Sequence, residues 1–239
     1  MKRRIVAALL SVMAAILPLG AQQADSALVC RSEAFHAQQL IAPAVFIGSG
    51  VTATYNSWFK DNVNLPVRDY AVNQGFTPTK VDYVTACLPA AAYMGLGWVG
   101  VEARHSGIER FAAAVTAAAI QQGIVQTLKY TTSVMRPDGS TPNSFPSSHT
   151  STAFMGAELV RIEYGPWWGL GAYTVATGTA LMRIYNNRHW VSDLLGGAGI
   201  GILSAQAAYW LLPLERRLLN WETVCVVPGN CALALSIVF

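Results

Sequence analysis

Four long stretches without a charged side chain constrain this chain more than any other feature of its sequence. They cover residues 83–101, 111–128, 164–182 and 194–214, and none contains Asp, Glu, Lys or Arg. A helix that spans a bilayer needs about 17–25 such residues. Residues 150–163 also have a helical pattern, although they include charged residues, and the alternation typical of β-strands is absent. The pattern predicts an all-α helical bundle of about five or six core helices.

The composition favours a bundle that is embedded in a membrane. Only 12% of the residues are charged and 53% are hydrophobic, whereas an ordinary soluble domain has about 25% charged residues. A soluble exported bundle is the alternative, because Ala and Gly allow close helix packing in either setting. This composition excludes disordered, collagen-like and coiled-coil chains. Lys and Arg are scattered and the net charge is only +3, so no nucleic-acid partner is indicated.

The N-terminal residues have the pattern of a secretory signal peptide. Lys2, Arg3 and Arg4 form a basic start, and residues 5–19 form an apolar run. Leu19-Gly20-Ala21 fits a cleavage site of small residues. The pattern predicts a signal peptide that is removed after residue 21, and a signal anchor that stays attached is the alternative.

The rest of the chain divides into three predicted parts. These are an N-terminal helical and connector segment (22–82), a helical core (83–214) and a C-terminal tail (215–239). Pro228-Gly229-Asn230 predicts the turn of a short β-hairpin within residues 224–239. Cys225 and Cys231 flank this turn, and a disulfide between them would form only on the oxidising side of a membrane.

Residues able to carry chemistry form three clusters at the ends of the apolar stretches. The clusters are Lys129 with Arg136-Pro137, the run Phe145-Pro146-Ser147-Ser148-His149-Thr150, and Arg183 with His189 and Asp193. The second cluster is predicted to open a helix, whose free backbone N–H groups are suited to an anion. His189 and Asp193 are four residues apart, so on a helix they would share one face. Pro137 is expected to end any helix that reaches Arg136.

Each cluster alone has an ordinary explanation. A Lys or Arg at the end of an apolar helix usually extends to the membrane interface, and Pro-Ser-Ser before a helix is most often a cap. The combination indicates more, because three cations, two histidines and one carboxylate meet the needs of metal-free phosphoryl transfer. In such a site the cations hold the phosphoryl oxygens, one histidine attacks, the carboxylate orients it, and the other histidine protonates the leaving oxygen.

The order Lys-x6-Arg-Pro, Pro-Ser-x-His and Arg-x5-His-x3-Asp resembles the type 2 phosphatidic acid phosphatase superfamily. That superfamily includes lipid phosphatases, bacterial acid phosphatases and vanadium haloperoxidases. The matching positions are Lys129, Arg136, Pro137, Pro146, Ser147, His149, Arg183, His189 and Asp193. Two positions depart from the pattern: Ser148 stands where the family usually has Gly, and Met182 stands where it usually has Ser.

The resemblance implies a role for each motif residue. His189 would be the nucleophile that forms a phospho-histidine, Asp193 would hold its imidazole in the correct tautomer, and His149 would act as acid and then as base. The phosphoryl oxygens would be bound by Lys129, Arg136, Arg183 and the backbone around Ser147 and Ser148. The resemblance implies no metal and no other cofactor.

The expected function is a metal-independent phosphatase that acts on a lipid. Lipid A phosphate, an isoprenoid diphosphate and a phospholipid phosphate are the candidate substrates, which makes a phosphorylated lipid and the membrane the expected partners. A soluble periplasmic acid phosphatase of broad specificity is the alternative among enzymes. A non-catalytic membrane protein that keeps the motif residues as interfacial charges is the alternative from another class.

The resemblance places the site on the periplasmic side of the bacterial inner membrane, with a soluble periplasmic protein as the alternative. One topology satisfies this placement. Residues 37–59 lie on the membrane surface, residues 83–101 cross inward, and residues 111–128 cross back, which leaves Lys129 and His149 outside. The joints that remain inside carry several arginines, in agreement with the positive-inside rule.

Overall fold

The computed structural model describes residues 35–75 and 78–218. Within them the chain forms seven helices of nine residues or more. They are α1 (Ile41–Tyr55), α2 (Leu65–Asn73), α3 (Val81–Trp98), α4 (Gly107–Thr132), α5 (Ser148–Tyr164), α6 (Pro166–Tyr185) and α7 (Val191–Leu218). No strand occurs among the described residues, so the prediction of an all-α bundle is confirmed. The predicted signal peptide, the C-terminal hairpin, Cys30, Cys225 and Cys231 lie outside the described residues.

Helix α5 lies at the centre of the bundle and packs against α3, α6 and α7. Small residues let the backbones of these helices touch. A Cβ on Gly156 of α5 would lie 2.5 Å from the Ala90 amide nitrogen of α3. A Cβ on Gly201 of α7 would lie 2.8 Å from the Met155 amide nitrogen of α5. The close helix packing that the Ala and Gly content predicted is therefore present on both sides of α5.

Two helices are long and apolar enough to cross a membrane, by length and composition alone. They are α4 and α7, with mean hydropathies of 1.2 and 1.3 in their most apolar windows. Helix α7 has 72% of that window buried inside the bundle, whereas α4 has only 22% buried. The apolar stretches at 83–101 and 164–182 also form helices, α3 and α6, but these do not meet the same criterion.

Helix α1 packs along α7 and buries Phe46, Gly50 and Ala53. A Cβ on Gly50 would lie 2.8 Å from the Gly196 Cα of α7, which shows how closely the two backbones approach. The sequence pattern did not indicate this packing, and the placement of residues 37–59 on the membrane surface stays a prediction. With 15 residues, α1 is about 22 Å long, which is shorter than the roughly 30 Å hydrocarbon core of a bilayer.

Helix α4 ends before the polar loop that carries Arg136 and Pro137. Helix α4 ends at Thr132, and Ser133 follows in the left-handed region with φ 49°. Pro137 was expected to end any helix that reaches Arg136, and no helix does, because α4 stops before either residue. Arg136 therefore lies in the loop between α4 and α5, where its backbone N–H donates to the Thr141 carbonyl at 3.1 Å.

Candidate active site

The three polar clusters come together at one end of the bundle. This end is formed by the C-termini of α4 and α6 and by the N-termini of α3, α5 and α7, with the loops 133–147 and 186–190 between them. Each predicted site residue lies on one of these helix ends or loops. The alternating directions of successive helices explain why residues far apart in sequence meet here.

His189 and Asp193 form a buried pair, with 3.3 Å between Nδ1 of the imidazole and Oδ2 of the carboxylate. Both side chains are almost fully buried, at 2% and 0% exposure. The two residues do not share a helix face, because α7 begins at Val191 and His189 precedes it, yet they make the contact that their spacing suggested. Asp193 lies in the first turn, where its Oδ2 also accepts from the Trp190 N–H at 2.9 Å. A carboxylate is favoured at this end of a helix.

A serine that the sequence did not single out contacts this pair. The Ser144 hydroxyl donates to Asp193 Oδ2 at 2.5 Å, and its oxygen lies 3.5 Å from His189 Nδ1. Ser144 is fully buried in the loop between α4 and α5. The only sign of Ser144 in the sequence is its position immediately before Phe145-Pro146 and the second motif.

The N-terminus of α5 offers backbone donors to an anion. Ser147 is the N-cap, and its hydroxyl oxygen accepts from the Thr150 N–H at 3.4 Å. The Ser147 N–H donates to the Asp193 carbonyl oxygen at 3.1 Å, so this amide already has a partner. Ser148 and His149 are the first two residues of the helix, and N–H groups at these positions have no acceptor within a helix. These two amides remain for an anion.

The three predicted cations have different partners. The Lys129 ammonium donates to the Asn143 carbonyl oxygen at 2.8 Å. Arg183 forms a buried ion pair with Asp82 of α3. Among the described residues, the Nε atoms of Arg136 and Arg183 are buried without a hydrogen-bond partner. A buried donor without a partner is costly, and a bound phosphoryl group would satisfy it.

Helix α3 contributes two anchors to the site that the sequence did not reveal. Asp82 was assigned to the polar connector, but it is fully buried against Arg183. Before α3, the Thr79 N–H donates to Asn186 Oδ1 at 3.0 Å, and Asn186 Nδ2 donates back to the Thr79 carbonyl at 2.9 Å. These contacts fix the start of α3 to the end of α6. Their partners are over a hundred residues apart in sequence, and no local pattern marks such a pairing.

Both histidines of the site are neutral near pH 7. Burial lowers the pKa of the His189 imidazole to about 4, although the Asp193 carboxylate acts to raise it. Burial, together with the positive charge of Arg183, also lowers the pKa of the His149 imidazole to about 4. The His149 ring meets the edge of Tyr83, with 4.5 Å between the ring centroids. A neutral His189 has a lone pair for attack, whereas His149 must gain a proton before it can act as an acid.

Within residues 35–75 and 78–218, no group of three His, Cys, Asp or Glu side chains is placed to hold a metal ion. Cys87 is exposed on α3.

Comparison with known proteins agrees with the motifs. The model of the PAP2 superfamily matches residues 110–217, a range that holds every motif residue from Lys129 to Asp193. A lipid A 1-phosphatase of Porphyromonas gingivalis is 40% identical over 143 residues, which cover 58% of this chain and 32% of that protein. No solved structure matches the chain.

A second relative is the Escherichia coli K12 protein named "Putative undecaprenyl-diphosphatase YbjG". It is 38% identical over 88 residues, which cover 35% of this chain and 44% of that protein. The matches thus span less than half the length of either relative. The resemblance inferred from the three motifs is confirmed: the model of the PAP2 superfamily matches residues 110–217, which carry all of them.

Proposed function

We propose that this chain is a metal-independent phosphatase that removes a phosphate from a lipid through a phospho-histidine on His189. One observation carries the proposal. Asp193 engages Nδ1 of a neutral, buried His189, which leaves Nε2 as the nitrogen that can attack phosphorus. His149, Lys129 and Arg183 supply the acid and the cations around it.

The proposed reaction has two steps. In the first, His189 Nε2 bonds to phosphorus, the bond to the leaving oxygen breaks, and His149 gives that oxygen a proton. In the second, water attacks the phospho-histidine, His149 takes the proton from the water, and inorganic phosphate leaves. Because a negative charge nearby raises the pKa of an imidazole, the incoming phosphate itself would bring His149 into its protonated form.

The cations perform the electrostatic part of this reaction. Lys129, Arg136 and Arg183 would bind the phosphoryl oxygens together with the amides of Ser148 and His149. Positive groups that are already in place stabilise the charge that develops in the transition state. Asp82 and Asn143 hold two of these cations by direct contact, so they need little rearrangement when substrate binds.

Two observations favour a lipid substrate. The names of the two relatives refer to lipid A and to an undecaprenyl diphosphate, and both are phosphorylated lipids. In addition, α4 leaves most of its apolar window outside the bundle, with Phe111 and Val115 exposed. An apolar face of this kind is expected to contact lipid. A soluble ester would gain no binding energy from this apolar face.

A substrate panel tests the proposal. The purified full-length chain in detergent is assayed for phosphate release from lipid A, undecaprenyl diphosphate, phosphatidic acid, phosphatidylglycerol phosphate and p-nitrophenyl phosphate. We expect the highest kcat/KM on one of the lipids and an unchanged rate in excess EDTA. Preference for the soluble ester would favour a broad-specificity acid phosphatase. Loss of activity in EDTA that a divalent ion restores would contradict the metal-free mechanism.

We further propose that the site faces the periplasm from the inner membrane. Single cysteines at Glu102 and Ser140 report on the two ends of the bundle, because both residues are exposed. They are introduced into a chain whose native cysteines are replaced by alanine, and intact cells are treated with a membrane-impermeant thiol reagent. We expect labelling at Ser140→Cys and protection at Glu102→Cys. Labelling of both would indicate a soluble exported protein, and labelling of Glu102→Cys alone would reverse the orientation.

A further inference from the structure

Two backbone hydrogen bonds fix the loop before α5, one within the loop and one to α7. The Ser144 N–H donates to the Val134 carbonyl at 2.8 Å, which closes the loop on itself just after α4. Three residues later, the Ser147 N–H donates to the Asp193 carbonyl at 3.1 Å, which joins the loop to α7. Ser144 therefore has a fixed backbone between two anchors, and its side chain has little freedom to move.

The Ser144 hydroxyl connects this loop to the catalytic pair. Asp193 Oδ2 receives three hydrogen bonds, from His189 Nδ1, from the Trp190 N–H and from Ser144. The first two donors are within four residues of Asp193, so they cannot fix the pair relative to another helix. Ser144 lies 49 positions away in sequence and belongs to the loop that leads into α5. It thus ties the carboxylate to the element that carries His149.

The surroundings leave Asp193 few other restraints. The carboxylate is fully buried, and its Oδ1 has no hydrogen-bond partner among the described residues. Without the Ser144 hydroxyl, the carboxylate would keep only its two local donors and could rotate toward other groups. The imidazole of His189 would follow, since a histidine is oriented by the group that its Nδ1 contacts.

We propose that Ser144 is a positioning residue. It holds Asp193, and through it His189, in the correct position relative to His149 on α5. The inference rests on the proposed function. Ser144 acts through Asp193 and does not itself contact the reacting phosphate. A misplacement of about 1 Å in a catalytic group can lower the rate on the order of 100-fold. Loss of the hydrogen bond between Ser144 and Asp193 should therefore lower the rate measurably.

Kinetics of three variants test this role. We expect Ser144→Ala to lower kcat about 10- to 100-fold, as loss of a hydrogen bond to a charged group does, with KM nearly unchanged. Ser151→Ala is the matched control, because Ser151 is also fully buried on the same side of the bundle and its hydroxyl has no partner among the described residues. Its kcat should stay within about twofold of the parent. If the alanine variant does not fold, Ser144→Cys fills the space with a much weaker donor.

A double-mutant cycle separates positioning from a general structural role. In an Asp193→Asn chain, Ser144→Ala should lower kcat by less than about twofold, because the residue it acts through is already disabled. A full additional loss in that background would show that Ser144 acts elsewhere. An unchanged kcat in the single Ser144→Ala variant would also overturn the proposal.

A measurement without turnover keeps this inference distinct from the proposed function. The ring nitrogens of ¹⁵N-labelled histidine report tautomer and hydrogen bonding by NMR, and His189→Ala identifies the signal. We expect Ser144→Ala to shift the His189 nitrogens or to populate the second tautomer, while Ser151→Ala leaves them unchanged. If the wild type released no phosphate but the His189 signal still shifted, the proposed function would fail and the positioning role would stand. No shift in the folded variant would refute the role.

Discussion

Replacement of His189 by alanine is expected to abolish phosphate release and the covalent phospho-enzyme, with a loss of at least about 10⁴-fold in kcat. The side chain is the nucleophile in the proposed reaction, and no water can replace a covalent step at the same place. Rapid acid-free quenching with radiolabelled substrate would detect the phospho-histidine in the wild type and its absence in the variant. His36→Ala serves as the control, because His36 is exposed before α1.

The partner histidine should behave differently. His149→Ala removes the acid, so release of a poor leaving group such as a lipid alcohol should slow strongly. A leaving group that needs no proton, such as p-nitrophenolate, should still give one burst of product, after which the phospho-enzyme accumulates because the base for water is missing.

Vanadate, which resembles the five-coordinate transition state, should inhibit the wild type. Full turnover by the His189→Ala variant would end the covalent mechanism.

The second large effect concerns the contact between α5 and α7. Gly201→Ala is expected to destabilise the fold by at least about 3 kcal/mol, at the upper end for overpacking. The new Cβ would lie 2.8 Å from the Met155 amide nitrogen and closer still to the Ser151 carbonyl oxygen. Both atoms belong to backbone, so they cannot move aside as a flexible side chain would. The two central helices would have to separate.

Thermal unfolding in detergent measures this loss. Gly123→Ala is the matched control, because Gly123 also lies inside a helix but has no atom within 4 Å of the position of a Cβ. That variant should gain about 0.5–1 kcal/mol from the better helix propensity of alanine. Equal unfolding temperatures for the two variants would show that α5 and α7 are not in close contact at Gly201.

The helices could be predicted because charge-free stretches mark them, but their ends could not. Residues 194–214 are free of charge, yet α7 covers Val191–Leu218 and includes Asp193, Arg216 and Arg217. One of these charged residues is held by another helix, since the Arg216 Nε–H donates to Glu109 Oε1 of α4 at 2.7 Å. A charge therefore ended this predicted stretch a few residues before the helix ends, whereas α3 ends at Trp98, before its charge-free stretch does.

The motif residues of the site could be named from the sequence, whereas their supports could not. The spacing of His189 and Asp193 correctly suggested contact, but for the wrong reason, since the chain turns into the helix between them. Asp82 gave no signal, and Ser144 was marked only by its place before the second motif, because the roles of both depend on pairing across the bundle. Single residues carry no information about which distant residue they will meet, and that information comes only from the packed structure.

The buried pair between Asp82 and Arg183 sets a boundary for the smallest fragment that could be transplanted into another protein. The family match begins at residue 110, but the carboxylate that neutralises Arg183 lies on α3. A fragment cut at residue 110 would retain a buried guanidinium without its counter-ion, and removing one partner of such a pair costs about 3–5 kcal/mol. A functional graft or chimera should therefore start before Thr79, so that it includes α3 and the hydrogen bonds between Thr79 and Asn186 together with the motifs.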